Sequence, residues 1–487
     1  MENLKDKTAK GLFWGGLSNG GQQVLNLLFG IFLARILSTA DYGMVGMLSI
    51  FSMIAGALQD GGFISALNVK KDVSHKDYNA VFWTSSLVSL TIYLILFFCA
   101  PLIADFYNEP RLTPLARYIF IGFFITSLGI APRAYLFRNL KVKQSGIVPF
   151  VSLFVSGIVG VTMALLGFAY WGIATQTIVY VSMYVGLNFY YSGWRPTLPV
   201  DFSPIREMIG FGSKLVITNI VNAINNNVFA VVLGRLYTPN VVGNYTQANK
   251  WNYMGWSLIN NMLYGISQPV FAKTDDDVKR QKKIFRKLLR FTAFVSFPAM
   301  FGLALVAKEF IVILLGEKWI DSAYMLQILC VMGAFCPMSN LFSNLIIGRG
   351  HSSVHMWTTI SLCIAQLASV IISAPYGIMR MIQVYVVITV GWMLVWYHFA
   401  HREIGITLCE VVKDISPYLI ISLALVVFAG FITHNVSNLY LSFAIKVLFV
   451  GVAYCVILWL LRSTIFRETV EFIRKRKVTN YSDEGTE

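Results

Sequence analysis

Charge is what this sequence has least of. Only 13% of its 487 residues are Asp, Glu, Lys or Arg, where a soluble domain carries roughly 25%, and that deficit excludes an ordinary cytosolic enzyme. Acids are scarcer than bases, 24 against 39, and all the acids are expected in loops, tails or span ends, with Asp60 the deepest. A carrier of sodium or cationic drugs needs a carboxylate near the bilayer midplane, so its absence argues against that class. The cysteines Cys99, Cys330, Cys336, Cys363, Cys409 and Cys455 stand singly in or beside apolar stretches, offering neither a disulfide framework nor a metal knot. No G-x-x-x-x-G-K-[ST] loop occurs, which excludes ATP hydrolysis by that route.

What is there is hydrophobic, at 56% of residues and a mean hydropathy of +0.64. Apolar windows fall at about 11–37, 42–66, 79–104, 112–133, 145–166, 170–191, 209–235, 242–268, 288–308, 322–347, 354–374, 377–397, 415–434 and 439–461. Each is long enough to cross about 30 Å of hydrocarbon, so the fold class expected is an all-α integral membrane protein with fourteen transmembrane helices, leaving no room for a large soluble domain. Lys5, Lys7 and Lys10 precede the first window as in a signal peptide, but no small-residue cleavage site follows, and the segment reads as an uncleaved first span.

Sorting Lys and Arg by alternate loops gives thirty on the side that holds both termini and seven on the other, with Lys250 and Lys446 inside spans. The positive-inside rule then places both termini in the cytoplasm. Much of the formal charge of +15 therefore sets topology, and nucleic acid is not expected as a partner. The densest basic stretch, Lys273 to Arg290, reads as an amphipathic cytoplasmic surface helix, capped by Thr274 or Asp275 and attracted to anionic membrane lipids. The tail after Arg462 reads as another orientation signal with a disordered end.

An internal repeat divides the chain. A shift of 200 residues lays Leu33-Ala34-Arg35-Ile36-Leu37-Ser38 on Leu233-Gly234-Arg235-Leu236-Tyr237-Thr238, and Gly43 on Gly243. A shift of 205 lays Pro132, Leu136-Phe137 and Asn139-Leu140 on Pro337, Leu341-Phe342 and Asn344-Leu345. Six spans separate each pair, an even number, so the repeat is parallel. It defines an N-lobe at 1–200 (spans 1–6), a C-lobe at 201–402 (spans 7–12), two added spans at 403–462 and a cytoplasmic tail at 463–487.

The first shift also pairs Asn19, Gln22 and Asn26 with Asn219, Asn222 and Asn226. Each set sits at i, i+3 and i+7, one helix face, with Gln23 added in the first and Asn225 and Asn227 in the seventh span. Polar faces at membrane depth line a helix interface or a wet cavity, and two matched stripes favour a cavity between lobes. Lys250 lies about eight residues into its span with no carboxylate at helical spacing, which points to a cavity role. Arg117 lies inside the fourth span, and Arg35 and Arg235 occupy matching outer ends, where snorkelling is the alternative. Lys446 can also snorkel. Amides and cations without acids suit an anionic, hydroxyl-rich substrate.

Gly11-Leu12-Phe13-Trp14, Leu33 through Gly43, Asp60-Gly61-Gly62-Phe63 and Leu315-Gly316-Glu317-Lys318-Trp319 resemble the Wzx-type polysaccharide flippases, in the colanic-acid-exporter-like branch of the multidrug/oligosaccharidyl-lipid/polysaccharide superfamily. The resemblance covers nearly the whole chain. It implies a MATE-like fold of two six-helix lobes, alternating access, and movement of an undecaprenyl-diphosphate-linked oligosaccharide from the cytoplasmic to the periplasmic leaflet of a bacterial inner membrane. It also implies a lipid-tail groove beside spans 13 and 14.

In this reading Lys250, with Arg35 or Arg117, attracts the diphosphate, and Asn19, Gln22, Asn26, Asn219, Asn222 and Asn226 meet sugars or water. No cofactor is expected, the coupling ion is left unnamed, and a polysaccharide polymerase is a candidate partner. A MATE-like cation antiporter is the first rival. A membrane enzyme is the second: Asp275-Asp276-Asp277 has metal-binding spacing, but three acids opening a basic helix read as a cap. His351 with His355 has ligand spacing but no third ligand, and His398 with His401 sits at a span end.

Overall fold

A chain in lipid has no water to satisfy its backbone, and a helix closes its N–H and C=O groups on itself. The computed structural model describes residues 4–60, 63, 67, 70, 72–139, 141–273, 277–463 and 465–468, and among these no strand occurs. In chain order the helices are α1 (Leu4–Ile36), α2 (Thr39–Asp60), α3 (His75–Tyr107), α4 (Leu112–Leu128), α5 (Ile130–Arg138), α6 (Val142–Leu165), α7 (Tyr170–Ser192) and α8 (Ser203–Leu236). There follow α9 (Pro239–Lys273), α10 (Val278–Leu315), α11 (Ile320–Gly348), α12 (Ser352–Ser373), α13 (Ile378–Gly391), α14 (Met393–Ile404), α15 (Leu408–Ile432) and α16 (Leu439–Leu460). Within the described residues every expected window falls on a helix or a consecutive pair. The fourth window is the pair α4–α5, bent by 40° at Gly129, and the twelfth is α13–α14. Among the described residues nine helices are long and apolar enough to cross a membrane, or ten with the bent pair.

Caps fix the helix ends. Thr407 and Glu410 exchange hydrogen bonds at the start of α15 (2.8 and 3.3 Å), satisfying two backbone donors that a helix start leaves open. Asn438 Oδ1 accepts from the N–H groups of Tyr440 and Leu441 at the start of α16. Gly316 ends α10 at φ 102°, a conformation that a side chain would strain. In the turn between α3 and α4, Arg111 forks over Glu109 at 2.7 and 3.0 Å and holds its carboxyl below the ordinary range.

The chain divides into two compact units, Met1–Thr246 and Gln247–Glu487. In the first, α6 packs on α1 and α7, α4 on α3 and α7, and α8 on α2 and α3. Glycines permit these approaches: a Cβ at Gly157 of α6 would lie 2.3 Å from the Phe29 ring of α1. At the start of α2 the approach is reciprocal. A Cβ at Gly43 would lie 1.8 Å from the Pro239 carbonyl oxygen, and one at Gly243 1.8 Å from that of Thr39. These four residues are the ones that a shift of 200 superposes, 39 on 239 and 43 on 243.

In the second unit α10 and α11 form the core, joined by the tilted rings of Phe285 and Phe342 (4.9 Å) and the edge-to-face rings of Phe297 and Phe335 (5.2 Å). Helices α15 and α16 pack on α10 and turn apolar side chains such as Val427, Leu448 and Trp459 outward, as a lipid-facing surface does.

Helix α10 corrects two expectations. The basic stretch at its start is not a separate surface helix but the first turns of one continuous 38-residue helix. Its cap is Asp277, which accepts from the Arg280 N–H at 2.9 Å, rather than Thr274 or Asp275, which lie outside the described residues. Its cations also divide by face. Arg286 pairs with Asp414 (Nε to Oδ2, 2.6 Å) and Glu410 (3.1 Å), and Lys282 with Glu410 (2.8 Å), fastening α15. Lys279, Arg280, Lys283 and Lys287 face outward. The expected disordered end of the tail lies outside the described residues.

Candidate functional site

The polar face of α1 forms one wall of a pocket in the first unit. Gln22 and Asn26 line a cavity of about 220 Å³ with Ser156 and Leu153 of α6 and Gln176, Thr177 and Tyr180 of α7. The residues come together because α6 is small where it meets its neighbours. Gly157 admits Phe29, one turn beyond Asn26, and a Cβ at Gly160 would press to 2.9 Å on the Gln176 side chain. Gln22 is half-held: its amide nitrogen donates to Ser18 Oγ (2.9 Å), whose hydroxyl donates to the Gly146 carbonyl oxygen (2.7 Å). Ser156 and Thr177 donate to carbonyls of their own helices. Asn26, Gln176 and Tyr180 have no hydrogen-bond partner among the described residues, and the lining carries no charged side chain.

The matching stripe on α8 divides. Asn219 is exposed and Asn222 half-buried, and neither has a hydrogen-bond partner among the described residues. Asn225 keeps a buried, unpartnered Oδ1. Asn227 is fixed on α2: its amide nitrogen donates to the Ala223 carbonyl oxygen (2.8 Å) and its Oδ1 accepts from Ser49 Oγ (3.2 Å). It therefore joins helices and does not extend a cavity face. The side chains of Asn19 and Asn226 lie outside the described residues, as does that of Asp60.

The cations have different environments. Arg117 of α4 reaches across to α3, its Nε donating to the Phe97 carbonyl oxygen (3.3 Å) and its guanidinium 4.5 Å from the centre of the Phe97 ring. Arg235 treats Phe106 the same way, at 2.8 and 5.6 Å. Arg35 is exposed at the end of α1. Lys250, in the second unit, has an accessible side chain and no ion pair or hydrogen bond with any described residue.

Lys446, for which snorkelling is one option, meets a partner just beyond the end of the ninth apolar window. Because α10 runs on to Leu315, Glu309 lies inside a helix, 6% exposed, and Lys446 of α16 pairs with its Oε1. Ser442 donates to the same oxygen at 2.9 Å, and Oε2 is buried without a partner. The loop expected from 309 onwards is therefore still helix, and Glu309 sits in its last two turns. Of the histidines, His351 shares Glu403 with Arg349 (3.2 and 2.7 Å), and His355 lies against Trp396.

A helical membrane protein whose first unit holds an uncharged polar pocket and whose second unit carries an accessible lysine, Lys250, has the make-up of a transporter for polar cargo. The fold resembles the solved "Lipid II flippase MurJ, inward closed conformation" with a TM-score of 0.76 at 15% identity, covering 94% of this chain and 100% of that one. The model of the family described as "Polysaccharide biosynthesis protein" matches residues 32–324, and the chain belongs to that family. It is 26% identical over 358 residues to the lipopolysaccharide biosynthesis protein WzxC of Escherichia coli (strain K12), spanning 72% of each chain. It is 23% identical over 479 residues to the succinoglycan biosynthesis transport protein ExoT of Rhizobium meliloti (strain 1021), spanning 95% of each.

Proposed function

We propose that the chain is a flippase for lipid-linked oligosaccharide repeat units in surface polysaccharide synthesis, a transporter and not an enzyme, in the bacterial inner membrane. The observation that carries this reading is the near-full-length similarity to a polysaccharide transport protein on a fold like that of a lipid II flippase. The physical problem matches. An isoprenoid tail stays in hydrocarbon, while a diphosphate and its sugars must cross about 30 Å that would desolvate them. A polar cavity shelters the head group alone.

In the finer reading the carrier is undecaprenyl diphosphate, both termini face the cytoplasm, and the lobes 1–200 and 201–402 alternate access while 403–462 borders the tail. Lys250 attracts the diphosphate, supported by its accessibility and lack of a described partner. Arg35 is a second candidate, and Arg117 a weaker one because Phe97 already occupies its guanidinium. Gln22, Asn26, Asn219 and Asn222, with Asn19 and Asn226 on the same faces, meet sugars or water. A polysaccharide polymerase would consume the flipped unit. In a polysaccharide-display assay, Lys250→Ala and Lys250→Glu are expected to lose most display, with Glu the more severe; normal display from both would remove Lys250 from the site.

A further inference from the structure

The pocket between α1, α6 and α7 has a composition that selects among sugars. Its 220 Å³ is below the roughly 300–1,000 Å³ that encloses a drug-sized ligand, so it takes one pyranose ring and not a disaccharide. Asn26 and Gln176 each offer a donor and an acceptor, Gln22 keeps a free carbonyl oxygen, and Tyr180 adds a hydroxyl on a flat apolar ring. That set matches a ring of vicinal hydroxyls with an apolar C–H face. No cation lines the pocket, so a carboxylate or phosphate placed there would lose water and form no direct ion pair with its walls.

The geometry points to a subsite for a single uncharged sugar residue of the carried oligosaccharide, with Gln176 and Tyr180 as its specificity-determining residues. The inference rests on the flippase reading for its cargo, but the pocket's preference stands on its own chemistry. The lining amides Asn26 and Gln176 hydrogen-bond the hydroxyl or acetamido groups of a neutral or N-acetylated sugar. A uronic acid is rejected because its charge stays unpaired. Gly160 keeps the Gln176 side chain in place: any Cβ there would meet it at 2.9 Å.

The test uses the full chain in lipid nanodiscs with methyl β-D-glucopyranoside, methyl N-acetyl-β-D-glucosaminide and glucuronate as probes, and saturation-transfer NMR as readout. At least one neutral glycoside is expected to bind saturably, with glucuronate at least about tenfold weaker. Gln176→Leu abolishes that binding, and Tyr180→Phe, which keeps the ring, weakens it about two- to tenfold. Gln176→Lys, which supplies the missing charge, is expected to reverse the order in favour of glucuronate. Variants are compared only if they elute as the native protein does, and Gln176→Lys decides the matter if Gln176→Leu does not fold. Glucuronate binding as well as the neutral probes, no glycoside binding, or unchanged preference in Gln176→Lys would each overturn the subsite. Because binding is read without transport, normal binding with failed polysaccharide display would instead count against the flippase reading.

Discussion

Single residues in this protein often do two jobs. Cations that count towards topology also tie backbone ends: Arg138 donates to the carbonyl oxygens of Leu67 and Lys70 (2.8 and 2.7 Å), and Arg117 and Arg235 each hold an aromatic residue of α3 by its carbonyl and ring. The pair Lys446–Glu309 is the most consequential. Removing one partner of a buried pair strands the other charge, at about 3–5 kcal/mol, whereas removing both leaves only apolar packing to adjust. Lys446→Met is therefore expected to lower the thermal unfolding midpoint in detergent markedly, and Lys446→Met with Glu309→Gln to recover most of the loss. Equal loss in both would mean that the pair is not what matters there. Sequence reading missed this pair because it ended the ninth span at 308, one residue short of the acid, although Gly316 marks where the helix stops. Gln22 and Asn26 were legible as a polar face. Gln176 and Tyr180 were not, because α7 carries just two amides, Gln176 and Asn188, twelve residues apart, and nothing along the chain says that Gly157 and Gly160 bring Gln176 to α1.

At the scale of elements, the spans were legible because lipid demands about 20 apolar residues for each, a requirement that no tertiary contact relaxes. Ends were less so where polar faces meet a neighbour. The turns Val278 to Arg290 look like a surface helix in isolation, and only the acids of α15 explain why Lys282 and Arg286 turn inward. The expected energetic contrast follows from exposure. Arg286→Ala breaks a two-pronged contact with an Asp414 side chain only 5% exposed and is expected to cost about 2 kcal/mol or more. Lys287→Ala breaks a pair with Glu468 whose partners are 59% and 54% exposed and should stay within about 0.5 kcal/mol; chemical unfolding of the two variants measures the difference. The crossing of α2 with the start of α9 depends on size alone. Gly43→Ala drives a methyl into the Pro239 carbonyl and is expected to cost about 1–3 kcal/mol or more by overpacking. Gly56→Ala in the same helix has nothing within 4 Å and should be neutral or stabilising by up to about 1 kcal/mol. Similar yields of folded protein from the two would remove the close contact from the account.

For the whole molecule, the repeat read by shifting the sequence has a physical counterpart in the reciprocal contact of residues 39 and 43 with 239 and 243. The sequence could pair these glycines but could not say that they touch. On the proposed reading the cargo is a whole-molecule property too, since a diphosphate asks for cations, sugars for amides and an isoprenoid tail for lipid. The most direct measurement reconstitutes the protein into liposomes and follows a fluorescent undecaprenyl-diphosphate-linked oligosaccharide from one leaflet to the other. The account predicts protein-dependent flipping that Lys250→Glu reduces at least about tenfold, a change of some 1.4 kcal/mol in the rate-limiting free energy; flipping no faster than in protein-free liposomes would contradict it.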